Sequence, residues 1–214
     1  MNTTAHQRRP APRRRMSWRV VDIVTASVLA VVCGVVFWIW SNAVHPVVEL
    51  ATVGFPPAVG LMAGGWLFAG VLGGLVIRKP GAALYCEIVA AAVSALLVTQ
   101  FGATVLLSGL IQGIGAELVF LLFAYRRFGL AVTMLAGACA GVFLSVSENV
   151  MYNFAWSTPF QAVYAVLAVV SGTVLAGVVP WAMTRGLVRT GVLNGVAAGR
   201  DARSRRPAGP RVAA

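Results

Sequence analysis

The chain has 214 residues, 59% of them hydrophobic and 11% charged, with a formal net charge of +11 and a mean hydropathy of +0.84. So much apolar surface excludes a water-soluble domain of this size and implies an all-α, polytopic integral membrane protein. The basic balance does not imply nucleic acid, because the arginines gather at the two ends and at the boundaries of hydrophobic runs, where membrane topology and anionic lipid account for them.

Residues 1–17 are basic, carry prolines and lack apolar periodicity, so they are expected to form a disordered cytoplasmic tail. The apolar run after them is of spanning length, has no small-x-small cleavage site behind it, and places Val32 before Cys33. It reads as a retained first helix over Trp18–Ser41 and not as a signal peptide or a lipoprotein leader. Ala26, Ala30 and Gly34 make a small-xxx-small ridge along this helix. Such a ridge lets another backbone approach closely, either within this chain or on a separate membrane subunit. Asn42–Pro57, broken by Pro46, Gly54 and Pro56-Pro57, is expected to be an outer loop with at most a short helix, placed to cover a pocket.

A second helix is predicted over Ala58–Ile77, stopping at Arg78-Lys79-Pro80-Gly81, a turn of two cations, a helix breaker and a glycine. Further helices are predicted over Ala82–Thr99, Thr104–Tyr125, Leu130–Ala155 and Phe160–Leu187, with Pro180 able to kink the last. Residues 190–214 then form a second basic cytoplasmic tail. Arginine or lysine marks every second boundary, while Asn42–Pro57, Gln100–Ala103 and Trp156–Pro159 contain neither. Six transmembrane helices over residues 18–189 with both termini cytoplasmic satisfy the positive-inside rule throughout. Cys33, Cys86 and Cys139 all fall in apolar runs, odd in number, and read as packing residues.

Polar groups inside these helices are the candidates for function. Gln112 and Glu117 lie in the middle of the fourth helix, and an acid at that depth is costly unless it faces a bundle interior or a cavity. Gly109, Gly113 and Glu117 share one face at intervals of four. On the fifth helix Ser145, Glu148, Asn149, Tyr152, Asn153 and Trp156 follow the helical repeat and form one stripe in the outer half of the membrane. That stripe either lines a cavity open to the outside or is satisfied between helices. Ser94, Trp40 and Trp66 lie at comparable depth, and Trp18 and Trp38 read as interfacial anchors. Glu87 sits near the cytoplasmic side, placed to pair with an arginine or to meet a substrate. Acids, amides and aromatics without a buried cation point to a positively charged, aromatic ligand rich in hydrogen-bonding groups.

No GxxxxGK[ST] loop, HExxH, histidine pair or GxSxG elbow is present, so ATP hydrolysis, enzymatic chemistry and a cofactor are not expected. Arg78-Lys79-Pro80-Gly81-Ala82-Ala83-Leu84 followed by Glu87-Ile88, then Gly109-x-x-Gln112-Gly113-x-Gly115-Ala116-Glu117-x-x-Phe120, then Thr190-Gly191-Val192-Leu193-Asn194-Gly195, resemble the YkoE-like substrate-binding (S) components of energy-coupling factor (ECF) transporters. The resemblance runs from Trp18 to about Asp201. It implies a six-helix component that binds thiamin or its hydroxymethylpyrimidine moiety and works with a transmembrane coupling protein and two cytoplasmic ATPases. It also implies that Glu117 and Gln112 belong to the pocket, with Glu87 and Ser94 as further candidates. Ser94 stands where some relatives have a carboxylate, and Glu148-Asn149 has no counterpart in these motifs. Two other classes stay open: a stand-alone facilitator or ion-coupled carrier, and a structural membrane protein that binds no small molecule.

Overall fold

The structure, a computed structural model, describes residues 16–204; most of the expected amino-terminal tail and the last part of the carboxy-terminal one lie outside these residues. The described chain is helical. Five stretches are long and apolar enough to cross a membrane, Val20–Ala51, Pro56–Ile77, Thr104–Leu122, Leu130–Met151 and Thr158–Thr190, and Ala82–Leu96 is a shorter apolar helix among them.

The first stretch is α1 (Val20–Ile39), a π-helical turn (Trp40–Val44) and α2 (His45–Ala51) in unbroken succession. The expected loop after Ser41 is therefore helix as far as Ala51. Pro46 does not break it, because the π-helical turn just before it accommodates the ring and the missing N–H. The second stretch begins as a 3-10 helix (Pro56–Trp66) and continues as α3 (Phe68–Ile77). A left-handed Arg78 and Gly81 close the turn into α4 (Ala82–Leu96). Next come α5 (Thr104–Leu122) and α6 (Leu130–Met151). The last long stretch is α7 (Thr158–Ser171), a π-helical run (Gly172–Val178) and α8 (Val179–Thr190). The predicted disturbance at Pro180 is thus taken up by the π-helical turns just before it.

The Pro56–Ile77 stretch is the axis of the bundle: 83% of its 18-residue apolar window is buried, against 33–50% for those of the other spans. Around it α1 packs on α4, α4 on α5, α5 on α6, and α6 on α7 and the Gly172–Val178 turns. The valines on the opposite side of α1, Val24, Val28, Val31 and Val35, are exposed, as a lipid-facing surface requires.

The Ala26–Ala30–Gly34 ridge is used inside this chain. Ala26 and Ala30 are completely buried, and a Cβ on Gly34 would stand 2.6 Å from Val93 Cβ and 2.7 Å from the Ala90 carbonyl of α4. In this chain by itself α4 covers that face. Cys33 and Cys86 fill the same α1–α4 seam.

The first and last described residues meet beside the Arg78–Gly81 turn, which we call the basic end. Asp22, fully buried in the first turn of α1, pairs with Lys79 at 2.5 Å and with Arg19 at 3.2 Å. Beyond Thr190 the expected tail is folded as a 3-10 turn (Val192–Gly195) and α9 (Ala197–Ser204), whose Asp201 pairs with Arg78 at 2.8 Å. Trp18 donates to the Pro80 carbonyl at this end, and Trp38 to the Val98 carbonyl at the other.

Candidate functional site

At the end opposite the arginines, a cavity of about 540 Å³ opens between α2, the Pro56–Trp66 turns, α6 and α7. Below it a small chamber of about 40 Å³, room for little more than a water or an amino group, lies between α1, α4, α5 and α6. The two share Trp66, Phe101, Glu148 and Tyr152 as common walls. The described residues around both include Glu49, Glu87 and Glu148, and no lysine or arginine.

The aromatic walls hold one another. Trp66 and Phe101 meet edge to face with centroids 5.9 Å apart, His45 lies 5.4 Å from each, and Phe101 lies 6.1 Å from Tyr152. Trp66 donates its indole N–H to Ser41 Oγ at 2.8 Å, and the Tyr152 hydroxyl meets Thr104 Oγ1 at 2.6 Å. Such edge-to-face packing with satisfied polar tips gives a preformed aromatic cage.

Glu87 forms part of the wall of the lower chamber. The helix repeat of α4 points it at α3, where Gly70 leaves room for a close approach, and its Oε2 accepts the Gly70 N–H at 2.6 Å. Its Oε1 is buried without a hydrogen-bond partner among the described residues. Ser94 and Gln112, also expected in the site, and Ser108 line the same chamber, and Gly109 lets α5 approach Ala91 of α4 closely enough to close it. An unpaired carboxylate oxygen beside an amide and two hydroxyls is a receptor for a hydrogen-bond donor.

The stripe on α6 divides. Glu148 and Tyr152 face the cavities, and Glu148 accepts a hydrogen bond from the Tyr164 hydroxyl, whose ring packs against Trp156. Asn153 lines the upper cavity but donates to Asn149 at 3.3 Å, while Asn149 donates to the Gln161 carbonyl at 3.2 Å and Gln161 to the Asn153 carbonyl at 2.9 Å. Asn149 lines neither cavity; these amides mainly fasten α6 to α7.

Besides Asn149, two expected site residues stand elsewhere. Glu117 lies at the basic end and caps α4: its Oε1 accepts the Gly81 N–H at 2.7 Å and the Tyr125 hydroxyl at 2.6 Å, and its Oε2 accepts the Ala83 and Leu84 N–H groups at 2.8 and 3.2 Å. A helix N-terminus presents unpaired N–H groups and a partial positive charge, so it is a ready partner for a carboxylate inside a membrane bundle. Tyr125 is brought back to it by the left-handed conformations of Ala124 and Tyr125, and burial beside that carboxylate pushes the phenol pKa up. Trp40 lies across Gly65, donates to the Met62 carbonyl at 3.2 Å, and faces an apolar groove on the other side of the Pro56–Trp66 turns. Trp66 and Trp156, not Trp40, are the cavity tryptophans.

Sequence reasoning missed Phe101 and Phe37 as wall residues and left His45 in a loop. Phe101 sits in a short link without periodicity, where no local signal distinguishes a wall residue from a turn residue. Its one clue was being the aromatic of a link between two helices that carry polar groups.

A family described as ABC-type cobalt transport system, permease component, matches residues 21–143. YkoE of Bacillus subtilis (strain 168), a permease protein named for HMP/thiamine, is 34% identical over 192 residues, which is 89% of this chain and 94% of that protein. A crystal structure described as an S-component of an ECF transporter superposes with a TM-score of 0.83 at 36% identity, over 89% of this chain and 95% of that one. With this identity and coverage, and with the motifs around Glu87, Gln112 and Glu117 within the matched region, the chain belongs to the YkoE-like S components of that permease family.

Proposed function

We propose that this protein is the membrane component that captures thiamin or its hydroxymethylpyrimidine moiety from outside and hands it to an ATP-driven importer. The observation that carries this reading is Glu87, with one oxygen unpaired at the floor of an aromatic-walled cavity whose described residues include acids and no Lys or Arg. The cavity's 540 Å³ lies in the ordinary range for small-molecule sites. Its lining matches a ligand with an amino-bearing aromatic ring and a positive charge, and the name of the Bacillus relative points to the same compounds.

In this reading the aminopyrimidine ring goes deepest. Its amino group donates to Glu87 Oε1, and Gln112, whose amide both donates and accepts, meets a ring nitrogen, with Ser94 and Ser108 beside it. Trp66, Phe101 and Tyr152 enclose the rings, and Glu148 answers a cationic thiazolium. No bond is made or broken, and no cofactor takes part.

The same reading orients the molecule. The basic end is cytoplasmic, both termini lie there, and α4 serves as the sixth span despite its length, because each arginine-bearing boundary then faces inward. Uptake depends on a transmembrane coupling protein and two cytoplasmic ATPases, since no phosphate-binding loop is found in this sequence.

The test is equilibrium binding of thiamin and of hydroxymethylpyrimidine to the detergent-purified chain, followed by tryptophan fluorescence. Nanomolar quenching by either compound is expected, because Trp66 and Trp156 line the cavity. Absence of binding at micromolar concentration overturns the ligand, and uptake by proteoliposomes holding this chain alone overturns the dependence on ATPases.

A further inference from the structure

We infer that the groove at the basic end binds a phosphate group, that of an anionic phospholipid headgroup. The groove encloses about 730 Å³ between the α5–α6 turn, α8 and α9. Its walls include Arg126 and Arg127 from the turn and Arg185 and Arg189 from α8.

Among the described residues no carboxylate pairs with these four, although Asp201 lines the same groove. The sequence holds six acids. Asp22 is paired with Arg19 and Lys79, and Asp201 with Arg78. Glu117 is capping α4, Glu49 stands beside His45, and Glu87 and Glu148 belong to the cavity. Guanidinium groups bind phosphate oxygens through paired N–H donors, with a directionality lysine lacks. Arg185 is already held for this, its guanidinium 4.6 Å above the Trp181 ring.

A second observation is independent of charge. Thr184, one residue before Arg185 and 4% exposed, lines the groove, and its Oγ1 is buried without a hydrogen-bond partner among the described residues. A buried hydroxyl left unpaired is costly, and a phosphate oxygen in the groove would satisfy it.

The position favours a lipid over a soluble phosphate. The groove lies where the spans Leu130–Met151 and Thr158–Thr190 reach their basic ends. Trp181, an aromatic of the kind enriched at membrane interfaces, lines it.

The experiment is native mass spectrometry of the full chain released from detergent with phosphatidylglycerol or phosphatidylcholine. Retention of phosphatidylglycerol in preference to phosphatidylcholine is expected. Arg185→Gln with Arg189→Gln should weaken it about thirtyfold, and Thr184→Val about tenfold, while thermal unfolding in the same detergent shows whether each variant is folded. If Thr184→Val unfolds, Thr184→Ser, which keeps the hydroxyl, must retain the lipid. Equal retention of both lipids, or of phosphatidylglycerol by wild type and a folded double variant, overturns the site. Displacement of bound lipid by millimolar inorganic phosphate overturns the lipid as its source.

Discussion

Glu87 Oε2 accepts the Gly70 amide hydrogen at 2.6 Å while the other oxygen of the same carboxylate has no partner among the described residues. The bond fixes the side chain against the central helix, where a Cβ at position 70 would come within 3.0 Å of Oε2. A carboxylate so held needs no rearrangement to receive a donor, and preorganisation of that kind raises affinity by lowering the cost of ordering.

Glu87→Gln should lower affinity for the aminopyrimidine ligand about ten- to hundredfold, the value of a hydrogen bond to a charged group. Titration by tryptophan fluorescence measures it. Unchanged affinity would remove Glu87 from the site.

Glu117→Gln should do the reverse, leaving affinity unaltered and lowering stability. The lost cap on α4 is worth about 1–2 kcal/mol by the usual cost of removing a capping group. Thermal unfolding of the purified chain beside the same titration separates the two effects, and a large loss of affinity without loss of stability would return Glu117 to the binding site.

Trp66→Phe keeps a ring in the cavity wall but loses the donor to Ser41. Binding should weaken about two- to thirtyfold if a cationic ring stacks there, and the ligand-dependent quenching should shrink. Trp40→Phe should change neither, because that indole faces away from the cavity.

Gly34→Ala should destabilise the isolated chain by about 1–3 kcal/mol through overpacking against Val93 and the Ala90 carbonyl. Denaturation without any partner protein is the decisive measurement. A stable variant defective only in assembly would show that this ridge serves another subunit.

Asp22→Asn should cost about 3–5 kcal/mol, because it leaves Lys79, 3% exposed, without its counter-charge. Combining it with Lys79→Met should restore part of the loss. A double-mutant cycle on thermal stability reads the coupling, and additive losses would show that the two residues act separately.

Much of this architecture is legible in the amino-acid order, because hydropathy and helical periodicity are local properties. The spans, the turn at Arg78–Gly81, the close-approach glycines Gly109 and Gly113 and the inward face of Glu148 and Tyr152 follow from spacing along single helices. The helical run through Pro46 and the fold of residues 192–204 were less legible, since a proline is tolerated or not according to the turn that precedes it, and α9 is held by contacts such as Asp201 with Arg78.

Only the tertiary structure decided where each acid stands. Glu87 and Glu117 are both single carboxylates on apolar helices, alike in sequence, and their surroundings differ because α5 crosses α4 so that Glu117 meets the exposed amides of Gly81, Ala83 and Leu84. The same holds for Trp40 and Trp66, for the ridge that meets α4, and for Asp22 and Lys79, which are 57 positions apart and touch. A helix carries its periodicity in its own residues, but the partner of each face is set by how the whole chain returns upon itself.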